Sequence, residues 1–220
     1  MYRWELINNH YVVFINGKKY LVDTGSPISF WINPDCREPL IIDNVKYSLH
    51  SKPNSYDVLE SERLIGTNID GFIGLDMILK TSLTIYKNGR LEFGVVEEDG
   101  TRIGLNTNGF LSIKCNCGGV TGNYLIDTGA KFSYGTGGLF YGLTPFNQAE
   151  DYNPILKRLY SDIYHLNVNL GCKSVEIDTC YDVHVSSMLI SMGVLLIGNI
   201  TSLFNEVCVI DTKKGIMVIR

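Results

Sequence analysis

The segment Tyr20-Leu-Val-Asp-Thr-Gly25 returns as Tyr124-Leu-Ile-Asp-Thr-Gly129, a step of 104 residues from Asp23 to Asp127. Downstream of the first copy stands Phe72-Ile-Gly74, and downstream of the second Leu196-Ile-Gly198, a step of 124. Each is followed by an alternating apolar pattern with a turn inside it, Leu83 to Phe93 and Val207 to Ile219. Three features in the same order, twice, indicate a duplicated chain of two homologous lobes. The stretch from Glu97 to Gly109, where charge, Asn and Gly cluster, is the natural boundary. Lobes of residues 1–100 and 101–220 result, each of ordinary domain size.

Short apolar runs bounded by turn residues, with 22 Gly and 13 Tyr, predict strands more than helices. Tyr11-Val-Val-Phe-Ile15 enters Asn16-Gly17 and leaves through Lys18 to Val22, the strongest local signal for a β-hairpin. That hairpin delivers Asp23. The second copy repeats the plan: Phe110 to Cys115 leads through Gly118, Gly119 and Gly122 to Asn123-Tyr-Leu-Ile-Asp127. Leu166 to Ile177 also reads as a hairpin. One segment, Tyr152 to Tyr164, breaks the pattern: Pro154 sits where a helix would start, and Ile155, Leu159 and Ile163 fall at i, i+4 and i+8, which predicts a helix.

A pseudo-twofold axis through two such copies would bring two carboxylates into one site. Gly25 and Gly129 let the backbone turn sharply after each Asp, and the Thr24 and Thr128 hydroxyls can each bond the opposite turn. Like charges at close range cannot both ionise easily, so the pair shares a proton and titrates in two separated steps. The ionised partner can take a proton from water while the protonated one donates to a carbonyl oxygen.

These residues resemble the aspartic proteases, both pepsin-like and retropepsin-like. Asp23-Thr-Gly-Ser26 and Asp127-Thr-Gly-Ala130 are similar to the family's two catalytic loops, and Ile69 to Leu75 and Val194 to Asn199 to the apolar-apolar-Gly elements beneath them. The resemblance implies an all-β, bilobal acid-protease fold of two β-barrel-like lobes with one or more short helices. It implies peptide-bond hydrolysis by a water activated between Asp23 and Asp127, supported by Thr24, Gly25, Ser26, Thr128 and Gly129, with no metal or organic cofactor. The family also carries a β-hairpin flap between the first loop and its Gly element. Only 51 residues separate Asp23 from Gly74, so room is short; Ile41 to His50 could supply a flap strand, with Tyr47 or Tyr56 in place of the flap Tyr. The 71 residues from Asp127 to Gly198 allow a longer cover on the second lobe. An extended peptide or protein would bind between the lobes as an added strand. Ile28, Phe30, Trp31, Phe132 and Tyr134 are its pocket candidates, most of them expected rather as packing residues.

Ser26 offers a hydroxyl near Asp23 where Ala130 offers none near Asp127, so the shared proton is expected mainly on Asp127. The 22 residues before Asp23 read as strands of the lobe itself, so no pro-segment or zymogen step is expected. Both Asp-Thr-Gly copies lie in one chain, so a monomer should suffice.

Other readings are excluded or subordinate. A net charge of −4 gives no basic footprint for nucleic acid or an anionic membrane. The longest apolar run, Met188 to Ile197, is about half a membrane span. The N-terminus has Glu5 and His10 where a secretory signal keeps its apolar core, so a cytoplasmic protein is expected, with Cys36, Cys115, Cys117, Cys172, Cys180 and Cys208 as reduced thiols. Cys115-Asn-Cys117 lacks the spacing that grips a tetrahedral metal together with Cys172, Cys180 or His184. Gly135 to Gly142 lacks the Lys of a phosphate loop, and Asn199-Ile-Thr201 has the form of a glycosylation acceptor inside a core repeat. The rivals to a protease are a catalytically weak or inactive peptide-binding module on the same fold, and a β-protein whose repeat reflects duplication alone, with the two carboxylates apart.

Overall fold

The structure, a computed structural model, describes residues 1–220 apart from 34, 36, 37, 55 and 154. The all-β expectation holds. Strand Tyr2–Ile7 turns through Asn8 and Asn9, both in the left-handed region, into His10–Ile15, which turns through Asn16-Gly17 into Lys18–Val22. Left-handed φ at both central residues matches the twist of the flanking strands, which is why Asn and Gly occupy these corners. Lys18–Val22 then lies parallel to Gly71–Ile73, which passes between it and the antiparallel strand Phe30–Trp31. Phe30–Trp31 pairs parallel with His50–Ser51.

The second half reproduces this pairing strand for strand. Hairpin Ser112–Cys117/Val120–Ile126 lies parallel to Leu196–Gly198, which is antiparallel to Ser133–Gly135, which is parallel to Ser174–Tyr181. An antiparallel sheet joins the halves: Tyr2–Ile7, Arg90–Glu92, Leu83–Tyr86, Val207–Asp211, Ile216–Ile219 and Thr101–Asn106 pair in that order. The duplicated hairpins Leu83 to Phe93 and Val207 to Ile219 therefore meet edge to edge and carry one sheet across the molecule. Above it lies a continuous core in which Tyr11, Tyr124, Ile73, Ile85 and Ile210 are fully buried. Each such side chain contributes roughly 1.5–3 kcal/mol of burial.

The helix expected over 152–164 is not formed. Asn147–Asn153 and Lys157–Asn169 make a long antiparallel hairpin in which Asp151 faces Leu159 and Asn153 faces Lys157. A step of four residues is a whole number of strand periods as well as nearly one helical turn, so Leu159 and Ile163 share a buried face in either state. Ile155, which a helix would bury with them, is 76% exposed. Pro154, the supposed helix start, lies outside the described residues, as does Cys36. The hairpin read at Leu166 to Ile177 is present, with those two residues paired.

The helices lie elsewhere. Val58–Ile65 begins where the Asp57 carboxylate accepts from Glu60 N–H and ends at Gly66, at φ 82°. Leu75–Thr81 follows the first apolar-apolar-Gly element, and Val183–Ser191 is capped by Asp182. Among the described residues no helix is long and apolar enough to cross a membrane.

Candidate active site

Each Asp-Thr-Gly turn begins where a central strand ends. Asp23 N–H donates to Ile73 O at 2.9 Å and Asp127 N–H to Gly198 O at 2.9 Å, so the apolar-apolar-Gly elements hold the strand ends that present the two acids. A Cβ on Gly74 would strike the Ile28 backbone, and one on Gly198 would strike Ser133; only Gly permits this approach.

The turns then lock into each other. Thr24 N–H donates to Thr128 Oγ1 at 3.1 Å and Thr128 N–H to Thr24 Oγ1 at 3.0 Å. The Thr24 hydroxyl donates onward to Ile126 O at 2.8 Å, and the Thr128 hydroxyl to Val22 O at 2.7 Å. Both Thr are fully buried, so every polar atom of the lock is satisfied within it. The lock sets the separation of the acids. A Cβ on Gly25 would collide with the Asp127 carboxylate, and one on Gly129 with that of Asp23.

Each carboxylate accepts two backbone N–H groups at 3.0–3.1 Å: Asp23 from Gly25 and Ser26, Asp127 from Gly129 and Ala130. The two carboxyls are close enough to act on each other's ionisation. Burial pushes both acids above the ordinary carboxylate range. Asp127 is driven well above it, by burial first and then by the neighbouring Asp23 charge, while the N–H of Ser26 among others restrains Asp23. One proton is therefore expected to stay with the pair, and the stronger rise favours Asp127. The reason expected from the sequence needs correction. The Ser26 hydroxyl donates to Ile28 O at 2.9 Å and not to Asp23, so the Ser26/Ala130 difference does not create the asymmetry.

The dyad lies on the floor of a cleft of about 340 Å³ between the halves. Its first-half wall is aromatic: Phe30 and Phe72 stack at 4.4 Å, with Tyr56 edge-on to both. The second-half wall is Tyr134 with Leu159, Val185, Met188 and Ile197. Tyr56, Phe30 and Tyr134 thus stand in the cleft lining. Tyr47 does not: Leu40–Ile42 and Val45–Tyr47 form a small separate hairpin, and Tyr47 packs on the main core. Trp31 is buried against Tyr20 at 5.6 Å under the Lys18 ammonium, away from the lining. Ile28 and Phe132 are likewise outside it and pack on the core clusters of their own halves.

Three lining residues carried no motif. His10 is buried, its Nδ1 2.8 Å from Gly129 O; a carbonyl only accepts, so Nδ1 carries the hydrogen. Burial, with the Lys131 charge, holds His10 down to about 4. Asp151 is buried with Oδ2 accepting from the Tyr134 hydroxyl at 3.0 Å and Oδ1 from Tyr152 N–H at 2.8 Å, and burial pushes it up to about 6. Tyr152 follows it on the arm formed by the second-half hairpin, and Asp151, Tyr152, Asn153, Ile155 and Leu159 of that arm all line the cleft. Lys131 bears on both His10 and Asp151. Only the strand's alternation could have pointed to the arm residues, and the helical reading concealed it.

Among the described residues no three His, Cys, Asp or Glu converge as metal ligands; Cys115, Cys117, Cys180 and Cys208 are buried free thiols and Cys172 is exposed. The Asn199 amide is committed to Asn9 O and Ala130 O, which removes it as a glycosylation acceptor in the folded chain.

No family model and no curated protein matches the chain. Among solved structures, the solution structure of Simian foamy virus (mac) protease is similar over 42% of this chain and 90% of that one, at 15% identity and a TM-score of 0.31. That likeness is too distant to say what this chain does.

Proposed function

We propose that the chain is an aspartic endopeptidase whose single polypeptide supplies both acids. The observation that carries this reading is the reciprocal Thr24/Thr128 lock, which fixes two adjacent, half-buried carboxyls in the lining of the cleft. Asp23, ionised, takes a proton from a water held between the pair. Asp127, protonated, donates to the carbonyl oxygen of the scissile bond as it becomes tetrahedral. Two backbone N–H groups behind each carboxylate hold it in place through the proton exchange. A peptide lying extended along the cleft would set apolar side chains against the Phe30/Phe72 stack on one side and Leu159, Val185 and Ile197 on the other.

Cleavage of a random peptide library, profiled across pH, tests the reading. Asp23→Asn and Asp127→Asn should each lower kcat by at least about a thousandfold. Both limbs of the pH profile should lie above the ordinary carboxylate position, because burial raises both acids. Cleavage that survives either substitution would sink the proposal.

A further inference from the structure

The two Asp-Thr-Gly turns are copies, yet only one of them is braced by a side chain of the opposite half. Val12 pairs with Leu21, two residues before Asp23, and Ser112 with Leu125, two residues before Asp127, so His10 of the first hairpin corresponds to Phe110 of the second. His10 Nδ1–H reaches out of the first half to Gly129 O at 2.8 Å. Phe110 has no side-chain donor to return the bond, and among the described residues no donor reaches Gly25 O.

The positions after the two apolar-apolar-Gly elements differ in the same way. Leu75 N–H donates to Ser26 O at 2.8 Å, a bond within the first half. In the second half the Asn199 side chain takes the matching carbonyl, donating to Ala130 O at 3.0 Å, and the same amide donates to Asn9 O of the first half at 2.7 Å. Thr201 N–H, at 2.8 Å, and the Thr201 hydroxyl both donate to Asn199 Oδ1, which fixes the way the amide faces. The Tyr11 hydroxyl pairs with that of Thr201 at 2.9 Å. Three consecutive residues of the first half, Asn9, His10 and Tyr11, are thus tied to the second turn and its support.

What these bonds hold is a donor behind one acid. A peptide unit is planar, and in the trans form its C=O and N–H point in opposite directions. His10 clamps the carbonyl of the Gly129–Ala130 unit, and the N–H of the same unit donates to Asp127 Oδ1 at 3.1 Å. Fixing one end aims the other. Asn199 holds the next unit by its carbonyl, so the chain is pinned on both sides of Ala130. His10 and Asn199 are both buried, where such bonds are strong and do not exchange readily with water.

We infer that His10 and Asn199 are positioning residues for Asp127, which brace the Gly129–Ala130 peptide against the first half so that its N–H stays aimed at that acid while a proton moves. The reading rests on Asp127 being one of a proton-transferring pair, as proposed above, and adds what holds it differently from Asp23.

Two substitutions remove the brace independently. His10→Leu deletes one donor, and Asn199→Leu deletes the other by copying Leu75 of the first half. His10→Gln keeps a donor for Gly129 O. Burial holds His10 neutral down to about 4 and Asn199 has no charge, so neither change alters the charges of Asp23, Tyr124, Lys131 or Asp151 around Asp127. The full chain, its aspartate carboxyl carbons labelled, is titrated by NMR. An N–H donor favours the ionised form, so loosening it should raise the higher apparent pKa of the pair by about 0.5–1 unit in both Leu variants, and His10→Gln should titrate as the unsubstituted protein does. On a peptide that the unsubstituted protein cleaves, kcat should fall about tenfold with KM changed less than about twofold, and the alkaline limb of the pH profile should move up with the titration. A merely structural role would lower the Tm and leave titration and limb in place. Leu variants that fold and titrate like the unsubstituted protein would overturn the inference, and so would failure of both to fold. A shifted titration in a protein that cleaves no peptide would instead sink the hydrolase reading and leave the brace standing.

Discussion

At the scale of single residues, Thr24 and Thr128 do more than flank the acids. Each hydroxyl accepts from the backbone of the opposite turn and donates to the opposite strand, so either loop is held in place by the other. Thr128→Val keeps the shape but removes both roles, leaving Thr24 N–H and Val22 O unpaired in a fully buried site. It should destabilise the chain by about 2–4 kcal/mol in a urea titration, two buried groups at roughly 1–2 kcal/mol each. A loss under about 0.5 kcal/mol would mean the lock is dispensable. These residues were legible in the sequence because chemistry demands the same type twice: only Gly fits at 25 and 129 beside the opposite carboxylate, and only a short hydroxyl both accepts and donates at 24 and 128. Ser26 was misread for the converse reason. A hydroxyl beside a carboxylate invites a bond between them, yet the Ser26 backbone N–H already takes that place and its hydroxyl turns to Ile28 O. His10, Asp151 and Tyr152 were illegible because their roles arise from contacts between distant segments, such as His10 with Gly129, which no spacing records.

At the scale of elements, the hairpins were legible where turn chemistry marked them, as at Asn16-Gly17, and the arm was lost where a spacing of four fitted two periods. Helix Val58–Ile65 had its signals in plain view, the Asp57 cap and the Gly66 stop, but they lay in the interval between Asp23 and Gly74 that the resemblance assigns to a flap. That helix and the second-half arm meet across the cleft through Glu60, Arg63, Glu150 and Arg158. Arg63 Nη2 lies 2.9 Å from both Glu60 and Glu150, and Arg158 lies 2.9 Å from Glu60 and 3.3 Å from Glu150. Each cation thus bridges an acid from each half. All four side chains are partly exposed, so the cluster is screened by salt and adds little to global stability. Its effect belongs to the arm, which among the described residues has no other strand neighbour near its turn. Arg63→Ala with Arg158→Ala should speed amide exchange in Asn147–Asn153 several-fold while leaving Ser112–Cys117 unchanged, and molar NaCl on the unsubstituted protein should do the same. Uniform protection of both strands in the double variant would show that the arm does not depend on the cluster.

At the scale of the whole molecule, burying titratable groups around one cleft makes stability depend on pH, and the signs oppose each other. Asp151, raised from 3.8 to about 6, holds a proton in the folded state that the unfolded chain has lost, so its contribution is complete below 3.8 and is lost as pH rises to 6. His10, lowered from 6.5 to about 4, is neutral when folded and charged when unfolded across that same window, so its contribution is complete above 6.5 and is lost as pH falls to 4. Each shift spans about two pH units, worth roughly 3 kcal/mol at about 1.4 kcal/mol per unit, and both groups are buried enough to keep most of it. The two nearly cancel. Asp23 and Asp127, both raised, add to the falling side, so stability is expected to fall as pH rises through this range. Asp151→Asn removes one falling contribution and should make the fall shallower. His10→Gln, whose amide can still donate to Gly129 O, removes the rising one and should steepen the fall. Urea titrations of the three proteins at pH 4, 5 and 6 decide the matter: three parallel curves would mean that these side chains keep ordinary proton affinities, and that the cleft is wetter than its packing implies.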